Sequence, residues 1–219
     1  LTKIIAWPLP TNLGEGLVIL AAILLGAALP ILPIQILWIN MTTVGVLGLV
    51  LAIEAKEPGI MQRMPRDPQT AILTNVLLWR ILIVGLLILV GAFGLFIWEQ
   101  WLGASLEQAR TVAVNVVGMV EIRIGVFSNR WLVFGVLVMI LLQLGFTYIP
   151  WMNQIMGSAP ISLDAWGRVL GVAVTGYGLI ELEKWLRRWR VRKTVAVRRH
   201  SGGDDEHVPT TDCQDTGQD

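Results

Sequence analysis

The chain has 219 residues, of which 54% are hydrophobic and only 15% charged, for a net charge of +1. A soluble domain carries about 25% charged residues, so a water-facing globule is excluded. Cys213 is the only cysteine and lies in a polar C-terminal stretch, which excludes a disulfide framework and a cysteine metal site.

A spanning helix needs about 20 apolar residues to cross a hydrocarbon core of about 30 Å. The first candidate covers residues 11–29, with a kink expected near its start from Pro8 and Pro10; Pro30 and Pro33 then mark a tight turn. The second covers 34–53, and 54–68 is a polar, proline-rich loop. The third covers 73–98, with Trp79, Trp98 and Trp101 placed as interfacial anchors. After a short loop at 99–108, the fourth covers 109–126 and is interrupted by Glu121 and Arg123. A turn at 127–130 leads to the fifth, 131–149, and a loop at 150–164 to the sixth, 165–185, followed by an Arg-rich segment at 187–199. The pattern predicts an all-α, membrane-embedded bundle of about six transmembrane helices over residues 1–190, with a disordered polar tail at 191–219. With Leu1 first and no signal peptide ahead of the apolar stretch, the sequence reads as a piece of a longer protein or an unusual start.

Membrane orientation follows the asymmetry of Lys and Arg. With the N-terminus inside, the inner segments hold Lys3, Lys56, Arg63, Arg66, Arg123, Arg130 and the Arg-rich tail, while the outer side holds Arg110 and Arg168 at helix starts. Arg80 sits near the inner end of the third span, where it can snorkel. A cytoplasmic C-terminus is expected.

Polar groups within spans are costly and therefore point to function. Asn12 and Glu15 are three residues apart on the first span, which places them on one helix face. Gly14 and Gly16 flank Glu15 and are expected to keep its surroundings open. Asn40, Thr42 and Thr43 lie in the second span and Glu121 in the fourth. Carboxylate, amide and hydroxyl oxygens suit hard cations, so three helices could build one site near the midplane. The alternatives are interhelical hydrogen bonding for Asn40, Thr42 and Thr43, and capped, neutral carboxyls for Glu15 and Glu121. The glycines at 45, 48, 171, 176 and 178 read as close-packing surfaces, and the basic stretch 187–193 as a topology anchor. No nucleotide-binding or zinc-protease motif is present, and His200 and His207 are isolated.

The segment from Leu29 to Asp67, LPILPIQILWINMTTVGVLGLVLAIEAKEPGIMQRMPRD, resembles the sixth transmembrane helix and following loop of P-type cation-transporting ATPases of the calcium- and sodium-pump group. Its PxQxLWxN and EPxIMxRxPRDP patterns carry that resemblance together. TNLGEGL at 11–17 resembles the fifth helix of those pumps, ARTVAVNVVGMVE at 109–121 the eighth, and ELEKWLRR at 181–188 the end of the tenth. The resemblance covers nearly all of residues 1–190 and implies helices five to ten of such a pump.

By that resemblance the ion ligands fall on Asn12, Glu15, Asn40, Thr43 and Glu121. Two departures matter. Val44 stands where calcium pumps carry an aspartate, which argues against a two-ion calcium site and for a single ion or a different cation. The link after Glu121 is shorter than in the family, and Arg123 follows closely. The phosphorylated aspartate of the family's DKTGT motif, the nucleotide domain and the first four helices have no counterpart here.

The resemblance therefore implies the membrane half of an ATP-driven pump for a cation of the Ca²⁺, Na⁺ or K⁺ class. ATP and Mg²⁺ would enter only through domains outside this chain. The expected partners are the lipid bilayer and the N-terminal part of a pump or a complete pump, with no nucleic acid. The expected location is the plasma membrane of a prokaryote. The alternatives are a non-catalytic protein that binds or regulates a complete pump, or a decayed remnant. A secondary transporter with inverted repeats is disfavoured by the lack of matched broken helices.

Overall fold

A computed structural model describes residues 8–53, 75–125 and 130–201. The proline-rich loop with its EPxIMxRxPRDP pattern, the link at 126–129, His207 and Cys213 lie outside the described residues, as do Lys3, Lys56, Arg63 and Arg66. The described residues form helices and no strand: α1 Pro8–Leu24, α2 Pro33–Ile53, α3 Asn75–Ile88, a π turn at Leu89–Phe93, α4 Gly94–Trp101, α5 Leu106–Gly125, α6 Arg130–Tyr148, α7 Pro150–Met156 and α8 Leu163–Ser201. Pro8 and Pro10 fall in the first turn of α1, where a missing N–H breaks no internal bond.

The chain divides into two compact units, Leu1–Gly178 and Leu179–Asp219. The second contains the C-terminal part of α8, which continues as helix to Ser201 through the Arg-rich segment. The site described below belongs to the first unit.

Each stretch expected to span holds a helix, and two features were not legible as such. The third span is continuous from Leu77 to Trp101, but it is built from α3, the π turn and α4. The loop expected at 150–164 begins with α7, which meets the end of α6 at a bend of 80°. Gly157, at φ 62°, ends α7 in the left-handed region. Gln35 then ties α7 to the start of α2: its amide donates to the Met156 carbonyl at 2.9 Å and accepts from the Leu32 N–H at 3.0 Å.

Among the described residues, only Leu77–Trp101 is by itself long and apolar enough to cross a membrane; α6 and α7 qualify as a bent pair, and α1 is apolar but shorter. The third span shows the membrane pattern directly. Ile81, Val84, Ile88 and Ala92 are buried, yet Leu78, Leu82, Leu86 and Val90 on the opposite stripe are exposed. A helix apolar on both faces suits lipid on one side and protein on the other. In contrast, α5 carries Glu107, Arg110, Glu121 and Arg123. It tolerates its polar residues because it is central: every residue from Thr111 to Gly118 is buried, against α2, α4, α6 and the π turn.

The glycines that permit close packing differ from those expected. Gly45, Gly171, Gly176 and Gly178 face open space. Tight contacts lie instead at Gly91 of the π turn, where a Cβ would be 2.8 Å from Val172 Cγ1 on α8, and between α1 and α3. A Cβ on Gly14 would lie 2.7 Å from Ile88 Cβ, and one on Gly85 would lie 3.1 Å from Leu13 Cδ2. The two glycines flanking Glu15 therefore differ in role: Gly14 is a contact point, and Gly16 faces open space. The periodicity of small residues alone does not say which of them meets a neighbour.

Candidate functional site

Three helices bring polar side chains together in the interior. Glu15 comes from α1, Asn40 and Thr43 from α2, and Glu121 from α5. Asn40 and Thr43 are three residues apart and share a face of α2. Asn40 Nδ2 donates to Glu15 Oε2 at 3.1 Å and also to the Ile36 carbonyl at 3.1 Å. The Thr43 hydroxyl donates to Glu121 Oε2. One face of α2 thus holds a carboxylate from each of two other helices. Both carboxylates are shielded, with Glu15 3% and Glu121 2% exposed.

The cluster brings together four of the five residues expected from sequence. Asn12 is the exception, since it is exposed on α1. Its neighbour Thr11 is buried instead and donates to the Pro8 carbonyl at 2.9 Å. Thr42 is buried but turns back on its own helix, donating to the Trp38 and Ile39 carbonyls. Arg123 lies on α5 next to the site in sequence, and its side chain is outside the described set.

Among the described residues neither carboxylate has a cationic partner. The hydrogen bonds they receive come from the neutral donors Asn40 and Thr43. Glu15 Oε1 is buried and has no hydrogen-bond partner. The available oxygens are carboxylate, amide and hydroxyl, the set preferred by hard cations. No three Asp, Glu, His or Cys side chains come together among the described residues, so the site offers at most the charge of two carboxylates.

A third buried carboxylate is treated differently. Glu99, at the end of α4, is 4% exposed. It accepts two bonds from Arg168 on α8, at 2.6 Å from Nε and 2.9 Å from Nη2. This planar, two-bond geometry is the strong form of a carboxylate–guanidinium contact. From sequence both residues read only as flanking charges. Their common signal is that each stands near the same end of its span.

The sequence has clear relatives. The family profile for the C-terminus of cation transporting ATPases matches residues 28–186. A probable cation-transporting ATPase F of Mycobacterium bovis is 48% identical over 206 residues, covering 88% of this chain and 23% of that protein. A cation-transporting ATPase of Synechocystis is 37% identical over 186 residues, covering 76% of this chain and 21% of that protein. A calcium-transporting ATPase of Bacillus subtilis is 32% identical over 185 residues, covering 78% and 21%. The chain thus spans about a quarter of the length of the curated relatives it matches. An all-α membrane bundle with buried carboxylates and this match over most of its length belongs to the cation-transporting ATPase family, of which it carries the C-terminal region.

Proposed function

We propose that this chain forms the membrane half of an ATP-driven cation pump, and that Glu15, Asn40, Thr43 and Glu121 supply oxygen ligands to the transported cation. The observation that carries this reading is the pair of buried carboxylates bridged by one face of α2 and, among the described residues, left without a cationic side chain. A buried charge with no partner is costly, and a cation passing through the site supplies the partner that the protein withholds.

The hydrogen bonds suggest how ligands change hands. Asn40 presents its Nδ2 to Glu15; a half-turn of the amide presents Oδ1 to a cation instead. Thr43 gives its proton to Glu121, and a cation would take the hydroxyl lone pair. Glu15 Oε1 needs no rearrangement, because none of the described residues bonds to it. Glu15 is therefore the leading ligand and Glu121 the second. Asn12, exposed on α1, contributes least. With two carboxylates and Val44 after Thr43, a single cation of the Na⁺, K⁺ or Ca²⁺ class fits the site better than two divalent ions.

The partners in this reading are the lipid bilayer and the remaining part of a pump, where ATP, Mg²⁺ and the phosphorylated aspartate would act. The location is a prokaryotic plasma membrane with the C-terminus cytoplasmic, as the Lys and Arg distribution suggests. The test is cation binding by the complete pump in proteoliposomes with Glu15→Gln and Glu121→Gln. Glu15→Gln is expected to weaken binding more, and equal or reversed losses would overturn the ranking. Unchanged affinity in both variants would remove the proposed site.

A further inference from the structure

A line of uncharged polar side chains leads away from Glu121 along α5. Thr111, Asn115, Gly118 and Glu121 follow spacings of four, three and three residues, which keeps them within a stripe about 120° wide on the helix. The facing residues on α6 are Gln143 and Thr147, one turn apart. Asn115 is fully buried and Gln143 is 3% exposed.

Most of this line is tied down. The Thr111 hydroxyl donates to the Glu107 carbonyl at 2.8 Å and accepts from the Ala159 N–H at 2.9 Å. The Thr147 hydroxyl donates to the Gln143 carbonyl at 2.9 Å. Asn115 Nδ2 donates to the Thr111 carbonyl at 2.9 Å and to Thr147 Oγ1 at 3.1 Å. A carbonyl can only accept, so the Thr111 bond fixes which end of the Asn115 amide points there. Asn115 Oδ1 is left facing the other way, buried and, among the described residues, unbonded. Gln143 Nε2 is likewise buried and unbonded. Its amide lies 3.4 Å from where Gly118 would carry a Cβ, so the absent side chain makes room for it, one turn from Asn115.

One leftover acceptor and one leftover donor therefore sit on the same α5–α6 seam. Leaving them unpaired in a lipid-shielded interior is costly. A cation would satisfy Asn115 Oδ1 and oppose Gln143 Nε2–H; an anion would do the reverse. Water both donates and accepts, and buried water typically bridges such groups.

We propose that the Asn115–Gln143 seam, on the same face of α5 as Glu121, is a water-binding site. The water would hold Asn115 Oδ1 and Gln143 Nε2 together across the α5–α6 contact. The site stands on the two unbonded amide atoms, independently of whether Glu121 binds a cation.

Water-edited solid-state NMR of the full chain, labelled with ¹⁵N and reconstituted in lipid bilayers, tests this. Gln35 is the internal dry control, because it is fully buried and both ends of its amide are bonded to protein. Water magnetisation is expected to reach the side-chain amides of Asn115 and Gln143 several-fold faster than that of Gln35. In Gln143→Leu, which removes one water partner, the rate at Asn115 is expected to fall toward that of Gln35. Equal build-up at all three amides in the unmodified chain would overturn the proposal, whatever the variant does. A shift of the Asn115 signals on adding K⁺ or Rb⁺, with no fast water transfer, would also overturn it in favour of a cation.

Discussion

Two buried carboxylate sites in this molecule are built in opposite ways. At the α4–α8 contact, Glu99 is matched by Arg168 through two bonds, and the charge is neutralised within the chain. In the α1–α2–α5 cluster, Glu15 and Glu121 are equally shielded but, among the described residues, receive only neutral donors. On the proposed reading, the difference reflects what each is for. An internal guanidinium makes a permanent joint, whereas a carboxylate held by an amide or hydroxyl keeps its charge available to something that comes and goes. Removing a partner from the first should affect folding, and altering the second should affect binding.

The sharpest break in that comparison is Arg168→Met. It strands Glu99 in a buried position, and stranding a buried charge costs about 3–5 kcal/mol. Thermal or SDS unfolding of the full chain in detergent should show that loss, and Glu99→Gln in the same background should restore a large part of it. If Arg168→Met unfolds like the unmodified chain, the pair is not a structural joint. Next comes Glu15→Gln in the complete pump, expected to weaken cation binding about thirtyfold, or about 2 kcal/mol, with the fold retained; Glu121→Gln is expected to give about fivefold. Isothermal titration would separate the two.

Gly14→Ala sharpens the comparison from the packing side. Its methyl would meet Ile88 Cβ at 2.7 Å, and such overpacking costs about 1–3 kcal/mol; about 1.5 kcal/mol is expected here, with Gly16→Ala near neutral as a matched control. A larger loss from Gly16→Ala would show that the α1–α3 contact is misassigned. The smallest effect is expected at Ser105→Ala. Ser105 and Gln108 cap α5 reciprocally, Ser105 N–H to Gln108 Oε1 at 3.0 Å and Gln108 N–H to Ser105 Oγ at 3.2 Å. Loss of this capping box should cost about 1 kcal/mol, read by the same unfolding assay, and leave cation affinity unchanged.

Lipid makes part of this molecule easy to read from sequence. Apolar stretches of spanning length place the helices, and a carboxylate inside one stands out, so Glu15 and Glu121 were visible at once. Asn40, Thr42 and Thr43 stood out as polar residues within a span, the family resemblance selected Asn40 and Thr43, and Asn12 was added by helical spacing. It could not decide between Thr11 and Asn12, because adjacent residues straddle a face and only the packing of α1 on α3 turns Thr11 inward. The neutral seam of Asn115, Gln143 and Thr147 also gave no signal, since a few uncharged polar residues barely change the apolarity of a span. α5 looked the poorest span by composition because its polar residues are sheltered by protein rather than lipid. Burial on all sides depends on neighbours far away in sequence. The Glu99–Arg168 joint was hidden for the same reason: each charge, taken alone, resembles an ordinary residue at a helix end.

The π turn at Leu89–Phe93 bears on how this stretch can change length. A π turn holds one more residue than an α turn, so it stores a surplus residue between two segments of fixed orientation. Deleting one residue within 89–93 lets the backbone relax to a plain α-helix while α4 keeps its facing. The same deletion within 81–84 would turn everything beyond it by about 100° and carry Glu99 away from Arg168. Chain-length variation in this span should therefore be tolerated at the wide turn and nowhere else between Ile81 and Glu99.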